Sequence, residues 1–167
     1  MAEYTSRSFD LLTLGQLLLR LSPPDNDRLS RGDTFVKQVG GAELNVAVGA
    51  SLLGLRTGVI SKLPSHDIGS FMKGKIRSFG VSDDFFMYDD SPSARVGIYY
   101  YENGAYPRKP KVIYDRMNSS FFSLNIDEIP KEVYTASKCF HTTGITLALS
   151  PQIRETTIEM IKRFKEA

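Results

Sequence analysis

A single cysteine, Cys139, in 167 residues leaves no internal disulfide framework and fits a reducing compartment. Histidine is nearly as scarce. His66 and His141 are the only two, which argues against a zinc site of the usual ligand set. No apolar run is long enough to cross a bilayer, since the longest, Leu11 to Leu21, is interrupted by Gly15, Gln16 and Arg20. The N-terminal stretch MAEYTSRSFD lacks the apolar centre of a signal peptide. Charge of one sign is also missing. With 21 Lys and Arg against 19 Asp and Glu the net charge is +2, which gives no reason to expect a nucleic-acid or membrane-surface partner. These absences describe a soluble, cytoplasmic chain.

What is present is an ordinary globular balance, 41% hydrophobic and 24% charged. The length is about one domain at ~150 residues each, enough to bury a core without disulfide or metal. Phe9 to Leu21 reads as a buried strand, followed by an excursion at Ser22-Pro23-Pro24-Asp25. Phe35 to Val39 alternates like a strand and runs into the breaker pair Gly40-Gly41. A helix from Ala42 follows, with Leu44, Ala47, Val48, Ser51 and Leu52 at helical spacing and Gly54 placed to end it. Thr57 to Lys62 reads as a strand, Ser70 to Phe79 as a helix closed by Gly80, and Val81 as the start of the next extended stretch. Strand and helix in alternation are the signature of right-handed crossovers and a parallel sheet.

Arg95 to Tyr101 and Lys111 to Arg116 interrupt that rhythm as an antiparallel hairpin with a long loop, Glu102 to Pro110. Lys138 to Thr143 returns as a strand. The last helix starts at Pro151 with Ser150 as its N-cap and Ile153, Ile158, Ile161 and Phe164 along one face. A crossover helix leads to another parallel strand, so the pattern predicts the front portion of a larger α/β protein.

Several residue groups could carry chemistry. Gly40-Gly41 ahead of a helix can bring backbone N–H groups close to an anion or hydroxyl, and Asn45 one turn on could add its amide. Such a pair is also, and more often, only a tight turn. It lacks the spacing of a dinucleotide or phosphate loop. Cys139 and His141 could share a strand face, but a buried core cysteine is the simpler expectation. Arg108, Lys109 and Lys111 with Tyr106 read as a solvated loop rather than a nucleic-acid surface.

Gly40-Gly41-Ala42-Glu43-Leu44-Asn45-Val46-Ala47, with Leu53-Gly54 closing the helix, resembles the N-terminal signature of the ribokinase-like (PfkB) carbohydrate kinases. The resemblance continues through Asp67-Ile68-Gly69, Phe79-Gly80-Val81 and Arg95-Val96-Gly97-Ile98-Tyr99 to His141–Ser150. Glu43 and that last segment look most like the 2-keto-3-deoxygluconate kinases within the family. The resemblance implies a Rossmann-like parallel sheet flanked by helices, with a small β-sheet lid formed by segments near 20–39 and 90–116. It implies ATP-dependent phosphorylation of a sugar or sugar acid, with Mg²⁺ in the complete enzyme. Another member such as a fructokinase or ribokinase relative is the alternative. A non-catalytic sugar-binding or interaction module is the rival if the gene ends here.

The resemblance further implies that Gly40, Gly41 and Asn45 contact substrate. In the ketodeoxygluconate branch it puts Tyr99, Tyr114 and Arg116 over the substrate and its carboxylate, with Ile145 as a wall. Tyr114 and Arg116 are two apart in a strand and so share a face, and a guanidinium suits a carboxylate. Read without the family, a tyrosine-rich strand is half-buried sheet surface and Arg116 a solvated strand end.

One departure lies inside the match. Gln16 follows Gly15 where the family commonly has an acidic residue binding hydroxyls, so weaker or altered hydroxyl recognition is expected there. The catalytic aspartate of a Gly-Ala-Gly-Asp-like helix start is absent from residues 117–167, and Asp127-Glu128 in a polar loop is a poor substitute. The chain therefore reads as the sugar-binding half of the site, inactive alone and needing no cofactor of its own. Lid strands of this family often pair between subunits, which implies a homo-oligomer.

Overall fold

A computed structural model describes residues 7–167. Two sheets organise it. The body sheet has order β5-β4-β1-β9, from β1 (Phe9–Leu14), β4 (Thr57–Pro64), β5 (Val81–Ser82) and β9 (Ser137–His141). β6 (Phe86–Asp89) continues alongside β4, and every pairing in this sheet is parallel. β4 is buried along its whole length, as a central parallel strand covered on both faces must be. Its alternate side chains serve two cores. Val59 joins Leu44, Ala47, Met72 and Ile76 beneath α1 (Ala42–Leu52) and α2 (Asp67–Arg77). Ile60 joins Leu12, Leu14, Phe121, Leu124, Ile153 and Met160 beneath short 3₁₀ turns and α4 (Pro151–Glu166). A parallel sheet flanked by helices is thus the observed architecture, as the alternating pattern predicted.

The second sheet has order β3-β2-β7-β8, from β2 (Leu18–Ser22), β3 (Val36–Gly40), β7 (Gly97–Glu102) and β8 (Lys111–Asp115). β7 and β8 form the expected antiparallel hairpin, with Tyr99 opposite Tyr114. β2 joins β7 in parallel and β3 antiparallel.

The structure corrects several expectations. Phe9 to Leu21 is not one strand: β1 ends at Leu14, and the chain crosses through Gly15, Gln16 and Leu17 into β2 of the other sheet. Leu17, Leu18 and Leu19 are as buried as Leu12 and Leu14, so hydrophobicity does not mark the crossing. The strand expected from Arg95 begins at Gly97.

α2 starts at Asp67, earlier than Ser70, because the His66 ring Nδ1 accepts from the Ile68 N–H at 3.2 Å and caps it. α4 begins as expected at Pro151, with Ser150 Oγ accepting from the Ile153 N–H. Its inner face carries Thr156, Thr157 and Met160, while Ile158 is exposed. Leu52 of α1 also faces out rather than in. Cys139 is exposed instead of buried, because β9 pairs only with β1 among the described residues and lies at the sheet edge. No helix among the described residues is long and apolar enough to cross a membrane.

Candidate functional site

Parallel strands deliver the chain to one edge of their sheet, and ligands of open α/β sheets sit beyond the carboxyl ends of the strands. Here β1 ends at Leu14 and β9 at His141, and the links after both meet the start of α1. Over this junction lies the concave face of the second sheet. Together they enclose a cavity of about 330 Å³ lined by Gln16, Gly41, Asn45, Tyr99, Tyr114, Arg116 and Ile145, with Leu18, Arg20, Ala42, Glu43, Tyr101 and Val112. That volume is at the small end of ligand pockets. Seven of the eight residues singled out in the sequence line it. The eighth, Gly40, is buried behind Tyr99: a Cβ there would stand 2.5 Å from the Tyr99 hydroxyl.

The floor is the N-terminus of α1. Gly41 precedes it, and no side chain caps the first-turn N–H groups, which lie where Gly41, Ala42 and Glu43 line the cavity. Gly41 is required by close approach, since a Cβ would lie 2.9 Å from the backbone oxygen of Gln16. Asn45, one turn on, is exposed at the rim.

Glu43 is only 2% exposed. Its Oε1 accepts from the Thr143 N–H at 3.2 Å, the Thr143 hydroxyl at 2.6 Å and the Thr146 hydroxyl at 2.7 Å. A buried carboxylate satisfied in this way clamps α1 to α3 (Gly144–Leu147), the short helix that carries Ile145.

The roof is built by strand alternation. Register aligns Arg20, Tyr99 and Tyr114 across β2, β7 and β8, so all three point to the same face. The rings of Tyr99 and Tyr114 lie 5.9 Å apart, tilted by 33°. Burial pushes the Tyr99 phenol above its ordinary value. Arg116 follows the last residue of β8, and its guanidinium carbon stands 5.7 Å from the Tyr114 ring centre. Burial lowers its pKa from the usual guanidinium value, against the opposing pull of Tyr114 and Glu43. Arg20 lies 4.3 Å over the Tyr101 ring.

Gln16 lines the cavity, but its amide is occupied. Nε2 donates to the Arg116 carbonyl at 3.1 Å and the Ser119 hydroxyl at 2.7 Å, and Oε1 accepts from Arg116 Nε at 2.8 Å and from Nη2. The direct hydroxyl contact expected at this position has no open amide group to use. Glu128 is equally committed, to Lys62 at 2.6 Å and to the Asn125 N–H at 3.0 Å. Arg20 and the Glu43 clamp were not foreseen as parts of the site. Arg20 sits two residues from Leu18 on one strand face, a spacing that could have pointed to it, whereas nothing local announces the partners of Glu43. Among the described residues no three His, Cys, Asp or Glu side chains gather as a metal would need.

Residues 8–167 match the family model described as pfkB family carbohydrate kinase. The chain belongs to that family. It is 39% identical over 158 residues to a 2-dehydro-3-deoxygalactonokinase of Haloferax volcanii, a match covering 95% of this chain and 49% of that protein. The solved 2-dehydro-3-deoxygluconokinase of Thermotoga maritima superposes with a TM-score of 0.88 at 33% identity, over 95% of this chain and 48% of that one. A sugar kinase of Pyrococcus horikoshii solved in complex with ATP superposes with a TM-score of 0.80 at 25% identity, over 93% and 49%. The chain thus spans about half the length of the PfkB relatives it matches, and its fold is theirs.

Proposed function

We propose that this chain supplies the sugar-binding half of an ATP-dependent kinase, with 2-keto-3-deoxygluconate as its preferred substrate. The observation that carries this reading is one cavity in which Arg116, two tyrosines and the open first turn of α1 converge. In it the α1 N–H groups and Asn45 hold sugar hydroxyls, Tyr99 and Tyr114 cover the ring, and Arg116 takes the carboxylate through two parallel hydrogen bonds. The chain's contribution to catalysis is orientation, holding the terminal hydroxyl where a phosphoryl group can meet it. ATP with Mg²⁺ is the phosphoryl donor in this reading, and the catalytic aspartate is expected outside residues 1–167. The one carboxylate in the cavity, Glu43, is held in place by three donors on its Oε1 and is given a structural role in this reading. Association of two copies through the lid belongs to the same reading, Phe35 and Val36 being exposed at its edge strand.

Calorimetric titration tests it. The chain should bind 2-keto-3-deoxygluconate, and Arg116→Ala should weaken that binding while leaving a neutral ketose unaffected. Equal loss for both ligands would favour a fructokinase- or ribokinase-like substrate instead. With ATP present, residues 1–167 alone should release no ADP.

A further inference from the structure

Three charged side chains line the cavity, Arg20, Glu43 and Arg116, so its wall sets two guanidinium groups against one carboxylate. The charge of Glu43 acts on Arg116, whereas Arg20 pairs with no carboxylate among the described residues. The contacts Arg20 does make hold it in place. Its Nε donates to the Ser22 hydroxyl at 2.9 Å, and its guanidinium carbon lies 4.3 Å over the Tyr101 ring. A guanidinium has five N–H groups, and these contacts use only that of Nε. No described residue bonds the Nη groups. Arg20 remains partly exposed, and its charge reaches the Tyr99 phenol, opposing the rise that burial imposes there.

The two arginines stand at opposite ends of the tyrosine row. Register places Leu18 beside Gly97 and Arg20 beside Tyr99, with Tyr99 opposite Tyr114. Arg116 belongs to the level of Gly97, where a Cβ would lie 3.3 Å from the Arg116 Cα. Successive levels on one sheet face are about 7 Å apart. Arg20 turns away from that level, across the Tyr101 ring of the next one. A ligand lying along the Tyr99 and Tyr114 rings thus has a guanidinium beyond each end. One is beside the link between the sheets and the other is towards the far end of β2.

We infer that Arg20 is a specificity-determining residue that captures the anionic sugar, its open charge drawing a carboxylate into the cavity before Arg116 holds it. The inference rests on the sugar-acid reading above and adds how the acid is admitted. Charge on a walled cavity concentrates an oppositely charged ligand and speeds its entry. A charge at the rim of a site governs association more than dissociation, and its effect falls as salt rises. A neutral sugar gains nothing from it.

Stopped-flow association of 2-keto-3-deoxygluconate and of fructose with the full gene product tests this, read through tyrosine fluorescence because the chain has no tryptophan. In Arg20→Gln the association rate of the acid should fall on the order of fivefold at low ionic strength. Its salt dependence should flatten, and fructose should be unchanged. Arg20→Lys keeps the charge without the planar fork and should retain most of the rate. An unchanged rate in Arg20→Gln, an equal fall for both sugars, or an equal loss in the two variants would overturn the inference. So would an effect confined to dissociation. A wild type that binds the acid and loses it on Arg116→Ala keeps the sugar-acid reading standing whatever Arg20 does. A wild type that does not bind the acid brings down that reading and the capture role together. Without ligand, the Tyr99 phenol should ionise at higher pH in Arg20→Gln than in wild type. An unmoved phenol would overturn the reach of the Arg20 charge into the cavity.

Discussion

Glu43 shows how much one buried charge can hold. Removing it leaves two threonine hydroxyls and a backbone N–H without their acceptor, all at the junction of α1 and α3. Glu43→Ala should therefore cost about 2–4 kcal/mol of stability in urea unfolding, and Glu43→Gln clearly less because its amide oxygen still accepts. Tyr99 gives a second residue-scale outcome. Its phenol is pushed up by burial, so the native state holds the proton more tightly than the unfolded chain does. Any stability this contributes is complete below the ordinary tyrosine value of about 10 and fades as pH rises through the native one. Spectrophotometric titration should find two phenols ionising late, Tyr99 and Tyr134, both pushed up by burial, and Tyr99→Phe should remove one of them.

At the scale of elements, Asp83 ties α2 to the loop after β5. Burial alone would raise its pKa, but hydrogen bonds from Arg77 and Lys73, the latter at 3.2 Å, outweigh it and hold the carboxyl below its ordinary value. The tie is present above the unfolded carboxylate value near 4 and is lost as pH falls through the lower native one. Asp83→Asn should lower stability at neutral pH by about 1–2 kcal/mol and flatten the acid limb of the stability profile.

These ties were not legible in the sequence, though many of the elements they join were. The hairpin β7–β8 and the helix ends at Gly54 and Gly80, both at positive φ, follow from local chemistry and were readable. The convergence of Gly41, Asn45, Tyr99, Tyr114, Arg116 and Ile145 on one cavity was foreshadowed through the family resemblance, because the motifs that carry it are contiguous, whereas Gly40 lies behind Tyr99. The crossing at Gly15–Leu17 was hidden because leucines are buried on both sides of it. The exposure of Cys139 depends on its strand lying at an edge, which no local pattern states. The Gln16–Arg116 and Glu43–Thr143 pairs each join residues 100 apart, so only the topology makes them neighbours.

At the scale of the molecule, the second sheet, the proposed lid, is four-stranded with edges at β3 and β8 that no other described strand pairs. Unpaired strand edges invite a second chain. Sedimentation equilibrium should find a dimer that Val36→Lys dissociates, and a monomer at every concentration would refute lid-mediated association. The lid also has a history built into its wiring. Its central joint, β2 with β7, is parallel, and α1, β4, α2, β5 and β6 all lie between the two strands in the chain. Closing so long a loop costs entropy before any contact rewards it, and such joints form slowly. In refolding, the body sheet should gain exchange protection first, and the amides of β2 and β7 should become protected together, later. The chain would thus complete its binding surface as the final act of folding, so that appearance of the cavity reports that everything beneath it is already in place.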